Sequence, residues 1–80
     1  MTTKECVSKR VQQLCYDHHM TVNALANQAG MSPSSVKNVV YGVSNNPGII
    51  TIKMICDGLG ITLTEFFDTD EFRSLEPEEN

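Results

Sequence analysis

The chain has 80 residues, 40% of them hydrophobic, with no tryptophan, three cysteines and a formal net charge of −4. That length makes one small domain near the lower limit at which a core alone stabilises a fold, and no apolar run approaches membrane-spanning length. The N-terminal MTTKECVSKR lacks the apolar stretch of a signal peptide, and an odd cysteine count (Cys6, Cys15, Cys56) argues against a secreted disulfide framework, so the expected compartment is the cytoplasm.

Apolar spacing predicts a first helix over Thr3–Asp17 with Val7, Val11 and Leu14 on its buried face. Thr21 is a good N-cap for a second helix over Val22–Ala29, whose Val22, Leu25, Ala26 and Ala29 share one side and which Gly30 stops. Ser32 then caps a third helix over Pro33–Tyr41, with Pro33 at the first position, where a missing N–H costs nothing. Val36, Val39 and Val40 line its inner face, while Ser34, Ser35, Lys37, Asn38 and Tyr41 look outward. Gly42 is the expected left-handed residue behind it, and Val43–Gly48 is a loop with an Asn-Pro turn signal. A fourth helix over Ile49–Leu59 turns Ile49, Ile52, Ile55, Cys56 and Leu59 inward and closes at Gly60. Thr62 caps a fifth helix over Leu63–Phe67, with Leu63, Phe66 and Phe67 apolar. Residues 1–67 thus form the domain, and 68–80 an acidic tail that holds a short helix up to Leu75 and is disordered beyond Pro77. The fold class is all-α with five helices.

Two short amphipathic helices joined at Gly30–Ser32 form a helix-turn-helix, in which a supported helix presents small polar and basic side chains of the kind a DNA major groove admits. RVQQL at Arg10–Leu14, MTVNALANQAGMSPSSVKNVVYG at Met20–Gly42 and NPGIITIKMICDGLGITLTEFF at Asn46–Phe67 together resemble the Cro/C1-type, or XRE, family of phage-repressor-like transcriptional regulators. The resemblance implies sequence-specific binding of duplex DNA, most simply as a repressor acting as a homodimer on a palindromic operator. By matching position it places Ser32, Pro33, Ser34, Lys37 and Asn38 at base edges, with Asn38 the best candidate for a bidentate contact to adenine. It places Thr21, Val22, Ser35, Tyr41, Ser44 and Asn45 at phosphates, aided by the N-terminus of the second helix. Two departures stand out. Many members bury an Arg–Glu ion pair where this chain has Cys15 and Val40, and replacing both partners by apolar groups is often neutral or stabilising. Val22 stands where the family often has a phosphate-anchoring Gln, a side-chain donor that valine lacks.

The charge opposes DNA binding overall but is unevenly spread. Residues 1–45 set Lys4, Lys9, Arg10 and Lys37 against Glu5 and Asp17, a balance of +2. Residues 46–80 set Lys53 and Arg73 against Asp57, Glu65, Asp68, Asp70, Glu71, Glu76, Glu78 and Glu79, a balance of −6, at the end away from the proposed DNA face. Cys15, His18 and His19 lie close together but fall short of the ligand set that zinc requires, so no metal is expected, and neither are a cofactor, small-molecule ligand or membrane contact. No glycine-rich phosphate loop or nucleophile motif is present, and no catalytic residue is assigned. The competing reading is a protein-interaction module, such as an antitoxin-like subunit. In that reading, as in a homodimer, Leu63, Phe66, Phe67 and Phe72 supply the anchor.

Overall fold

Thr2 and Glu5 start the first helix. In the computed structural model, which describes residues 1–79, α1 (Thr3–Asp17) opens on a capping box. The Thr2 hydroxyl accepts from the Glu5 amide at 3.2 Å, and the Glu5 carboxylate accepts from the Thr2 amide at 3.1 Å. The backbone and hydroxyl bonds from Thr2 hold the Glu5 carboxyl below the usual glutamate value. Four further helices follow with the expected starts: α2 (Val22–Ala29), α3 (Pro33–Val40), α4 (Ile49–Leu59) and α5 (Leu63–Phe67). Thr21, Ser32 and Thr62 each accept from the amide three residues on, at 3.1, 3.2 and 3.0 Å. A sixth helix, α6 (Asp70–Arg73), capped by Thr69, lies in the tail where a short helix up to Leu75 was expected beyond the five of the domain. The described residues form no strand.

Three of the helices end alike. Behind α2 and α4, Gly30 and Gly60 are left-handed (φ 67° and 72°), and the next amide reaches back to the helix, Met31 to the Ala26 carbonyl at 2.9 Å and Ile61 to that of Cys56 at 3.0 Å. Behind α1 the left-handed residue is His19 (φ 54°), with the Met20 amide bonded to the Cys15 carbonyl at 2.9 Å. Helix α3 stops at Val40, one residue earlier than expected, because Tyr41 is its C-cap and Gly42 then turns the chain at φ 69°.

The core lies where α1, α2, α3 and α4 meet, with α5 closing one end. Val11, Leu25, Val36, Ile55 and Phe66 are among its most buried members. Helix α2 packs against both α3 and α4, and α1 against α3. The approach of α2 to α4 is set by Gly58, where a Cβ would stand 3.0 Å from the Cβ and amide nitrogen of Ala29. Cys15 and Val40 are both buried in the core, as two apolar replacements should be. All three cysteines are free and buried, and burial pushes their thiols above the ordinary value.

Several contacts between distant parts of the chain were not expected. Arg10 on α1 donates from Nε to the Phe66 carbonyl at 2.7 Å and from Nη2 to that of Glu65 at 2.8 Å, tying the end of α5 to α1. Phe66, assigned to an interface, is fully buried and stacks edge-on with Phe67 (centroids 4.9 Å apart), so its ring closes the core and offers no outer surface. Ile49, assigned inward, is 54% exposed because it opens α4 in the turn beyond the core. Beyond α6 the chain runs back to the N-terminus of α1, where Glu78, in the stretch expected to be disordered, accepts from the Thr3 hydroxyl at 2.6 Å. Asn80 lies outside the described residues.

Candidate nucleic-acid interface

Helix α3 is held from behind by Val36, Val39 and Val40 and turns its other side to solvent. Ser32, Pro33, Ser34, Ser35, Lys37 and Asn38 are all exposed, as the apolar spacing implied. Their hydrogen-bonding capacity is not equally free. The Ser32 hydroxyl caps the helix and lies 2.8 Å from that of Ser35, so these two side chains face one another. Among the described residues the side chains of Ser34, Lys37 and Asn38 make no hydrogen bond, and Lys37 forms no ion pair. At spacings of three and four residues they share one helix face. That face offers a hydroxyl, an ammonium and an amide, which between them can donate to or accept from the edge of any base pair.

The candidate phosphate positions surround this face in two groups. Thr21 is exposed at the start of α2, its hydroxyl engaged with the Ala24 amide. Val22 is half-buried against the core and brings only a backbone amide, directed by the helix N-terminus. The second group follows α3. Tyr41 is 66% exposed, and the Ser44 amide donates to the Asn38 carbonyl at 3.0 Å, which folds the loop against the end of the helix. Asn45 is exposed, and its Oδ1 accepts from Lys4 Nζ at 2.8 Å. Lys4 therefore brings a positive charge from α1 to this loop. It escaped notice in the sequence because 41 residues separate the partners. Gly48 starts α4 in the same loop without a side-chain cap, leaving the first amides of that helix open.

The remaining charges sit elsewhere. Lys53 pairs with Asp57, and Arg73 with Asp68 and Asp70, all exposed and of small energetic weight. A shallow apolar groove lies between α4 and α5, lined by Ile49, Leu63, Thr64, Phe67, Asp68 and Arg73. Of the four residues assigned to an interface, Leu63 and Phe67 reach this groove. Phe72 packs on Phe67 with centroids 4.9 Å apart, and Phe66 is inside the core. Among the described residues no three His, Cys, Asp or Glu side chains come together as a metal-binding group, and no helix is long and apolar enough to cross a membrane.

A family model described as the Cro/C1-type HTH DNA-binding domain matches residues 10–71. Among solved structures, the crystal structure of the prophage Lp1 protein 11 superimposes with a TM-score of 0.80 at 34% sequence identity, covering 94% of this chain and 100% of that one. No curated protein matches the chain.

Proposed function

Because this chain belongs to the Cro/C1-type helix-turn-helix DNA-binding domain family, we propose that it regulates transcription by reading a specific duplex sequence with α3, as a homodimeric repressor. The observation that carries the reading is the face of α3 on which Ser34, Lys37 and Asn38 stand exposed, their side chains without hydrogen bonds among the described residues. Asn38 pairs its amide with adenine N6 and N7, Lys37 reaches guanine or a phosphate, and Ser34 bonds either. The amides opening α2 and α4, with Thr21, Ser35, Tyr41, Ser44 and Asn45, fix the register on phosphates. Lys4 joins them through its place beside Asn45. Two copies joined through the groove of Ile49, Leu63 and Phe67 set two reading helices about one DNA turn apart, roughly 34–36 Å, and call for an inverted repeat. A domain of this size blocks polymerase by occupancy.

Selection of bound duplexes from a random pool at near-physiological salt tests the reading. Recovery of an inverted repeat with half-sites about one turn apart supports a dimeric reader. Recovery of no motif, with weak binding that salt abolishes, favours the second reading, in which the same apolar groove docks another protein. On the selected site, Asn38→Ala is expected to cost about 1–3 kcal/mol and to relax preference at one base position, checked by titrating single-base variants of the site. An equal loss on every sequence refutes the assignment of Asn38 as a base reader.

A further inference from the structure

We propose that Ser8 and Gln12 of α1 are positioning residues for DNA reading, setting the angle at which α3 enters the groove. The inference rests on α3 being the reading helix. Its ground is the set of carbonyls at the end of that helix, which have no partner within it. The Lys37 carbonyl accepts from the Tyr41 amide at 2.9 Å, that of Asn38 from the Ser44 amide at 3.0 Å, and that of Val39 from the Gly42 amide at 3.3 Å. The Val40 carbonyl is different, because both of its donors come from another helix. The Ser8 hydroxyl donates to it, and Gln12 Nε2 donates to it at 2.8 Å. Gln12 Nε2 also lies 3.2 Å from the Ser8 oxygen, so the three groups form one closed cluster.

Ser8 is the buried polar side chain of the described residues, 8% exposed, amid valines and cysteines that pack without directional preference. Apolar faces such as those of Val11 and Cys15 on α1 and Val36 and Val40 on α3 resist separation but not a small rotation. The hydrogen-bonded cluster does resist it. Eight residues make α3 about 12 Å long, so a pivot of about 10° at Val40 carries its N-terminal end through about 2 Å. Along the axis that pivot displaces Ser34, six residues from Val40, by about 1.6 Å and Asn38, two residues from it, by about 0.5 Å, against donor–acceptor distances that span only about 2.7–3.2 Å.

The test compares binding of the selected operator with binding of a scrambled duplex, at a temperature well below the melting point of every variant. Gln12→Met keeps the length of the side chain but cannot donate, Ser8→Ala removes the buried hydroxyl, and Gln12→Lys restores a donor. Gln12→Met and Ser8→Ala are expected to lower the operator-to-scrambled affinity ratio about tenfold, the effect of losing one base contact, with scrambled binding unchanged. Gln12→Lys restores the ratio, and its added charge raises affinity for both duplexes alike. A lower melting temperature with an unchanged ratio overturns the positioning role and leaves DNA reading intact. A wild-type protein that binds both duplexes equally overturns DNA reading itself, and the positioning role with it.

Discussion

His19 closes α1 in the left-handed conformation that Gly30 and Gly60 adopt behind α2 and α4. In a residue with a Cβ that conformation brings the side chain close to the backbone, whereas glycine accepts it freely. His19 is exposed, and it gains no side-chain hydrogen bond among the described residues that would offset the strain. His19→Gly is therefore expected to stabilise the fold by about 1 kcal/mol, the relief of left-handed strain less the added freedom of the unfolded chain. In thermal unfolding that corresponds to a rise of roughly 4–8 °C for a domain of this size. His18 is a useful control, since its Nδ1 lies 2.8 Å from the Leu14 carbonyl and its backbone is not left-handed, so glycine there should destabilise. Single residues also show what local sequence can reveal. Thr21, Ser32 and Thr62 were legible as caps because a cap and the amide it serves are three residues apart. The Thr2–Glu5 box has the same spacing, and its Thr-x-x-Glu signature stood unread in the opening residues.

Helices α2 and α4 approach closely because Gly58 lacks a side chain where Ala29 crosses it. Alanine is the better helix former by about 1 kcal/mol, so helix propensity alone predicts that Gly58→Ala stabilises α4. Packing decides otherwise. The new methyl would meet the amide nitrogen of Ala29 at 3.0 Å and its Cα at 3.1 Å, backbone atoms that cannot swing aside. Overpacking of this kind costs about 1–3 kcal/mol, and a net loss of about 1 kcal/mol or more is expected in chemical denaturation. An increase in stability would mean that the two helices part without penalty. At this scale the sequence showed which helices exist and which faces they bury, since both follow from spacing within a dozen residues. It did not show how the helices are tied together. Arg10 reaches the end of α5 across 56 residues, Gln12 the end of α3 across 28 and Lys4 the loop beyond it across 41. Ile49 was misplaced for a related reason, because periodicity assigns a face to a helix without revealing where the helix outruns its neighbours.

The molecule carries a net charge of −4, yet its proposed ligand is a polyanion. The sequence suggests that the acid lies away from the DNA face, and Asp57 and Asp68 each pair with a cation on their own segment. Glu78 is placed otherwise. Its carboxylate bonds Thr3 and lines one groove with Lys4, Asn45 and Asn46, at the loop where α3 and Lys4 bring their polar groups together. The tail therefore puts negative charge beside candidate phosphate contacts. Ending the chain after Leu75 removes Glu76, Glu78 and Glu79 and moves the formal charge to −1. Each carboxylate about 10 Å from a phosphate opposes binding by about 0.4 kcal/mol in water, and three together, reduced by salt, by about 1 kcal/mol. The shortened chain is expected to bind the selected duplex roughly fivefold more tightly at low salt, with a steeper loss of affinity as salt rises. Fluorescence anisotropy at several salt concentrations reads both effects, and the gain should vanish as the Debye length falls to a few ångströms. A gain that persists at high salt would point to steric release of the groove instead of charge. Equal affinity at every salt would show that the tail lies outside the field of the DNA.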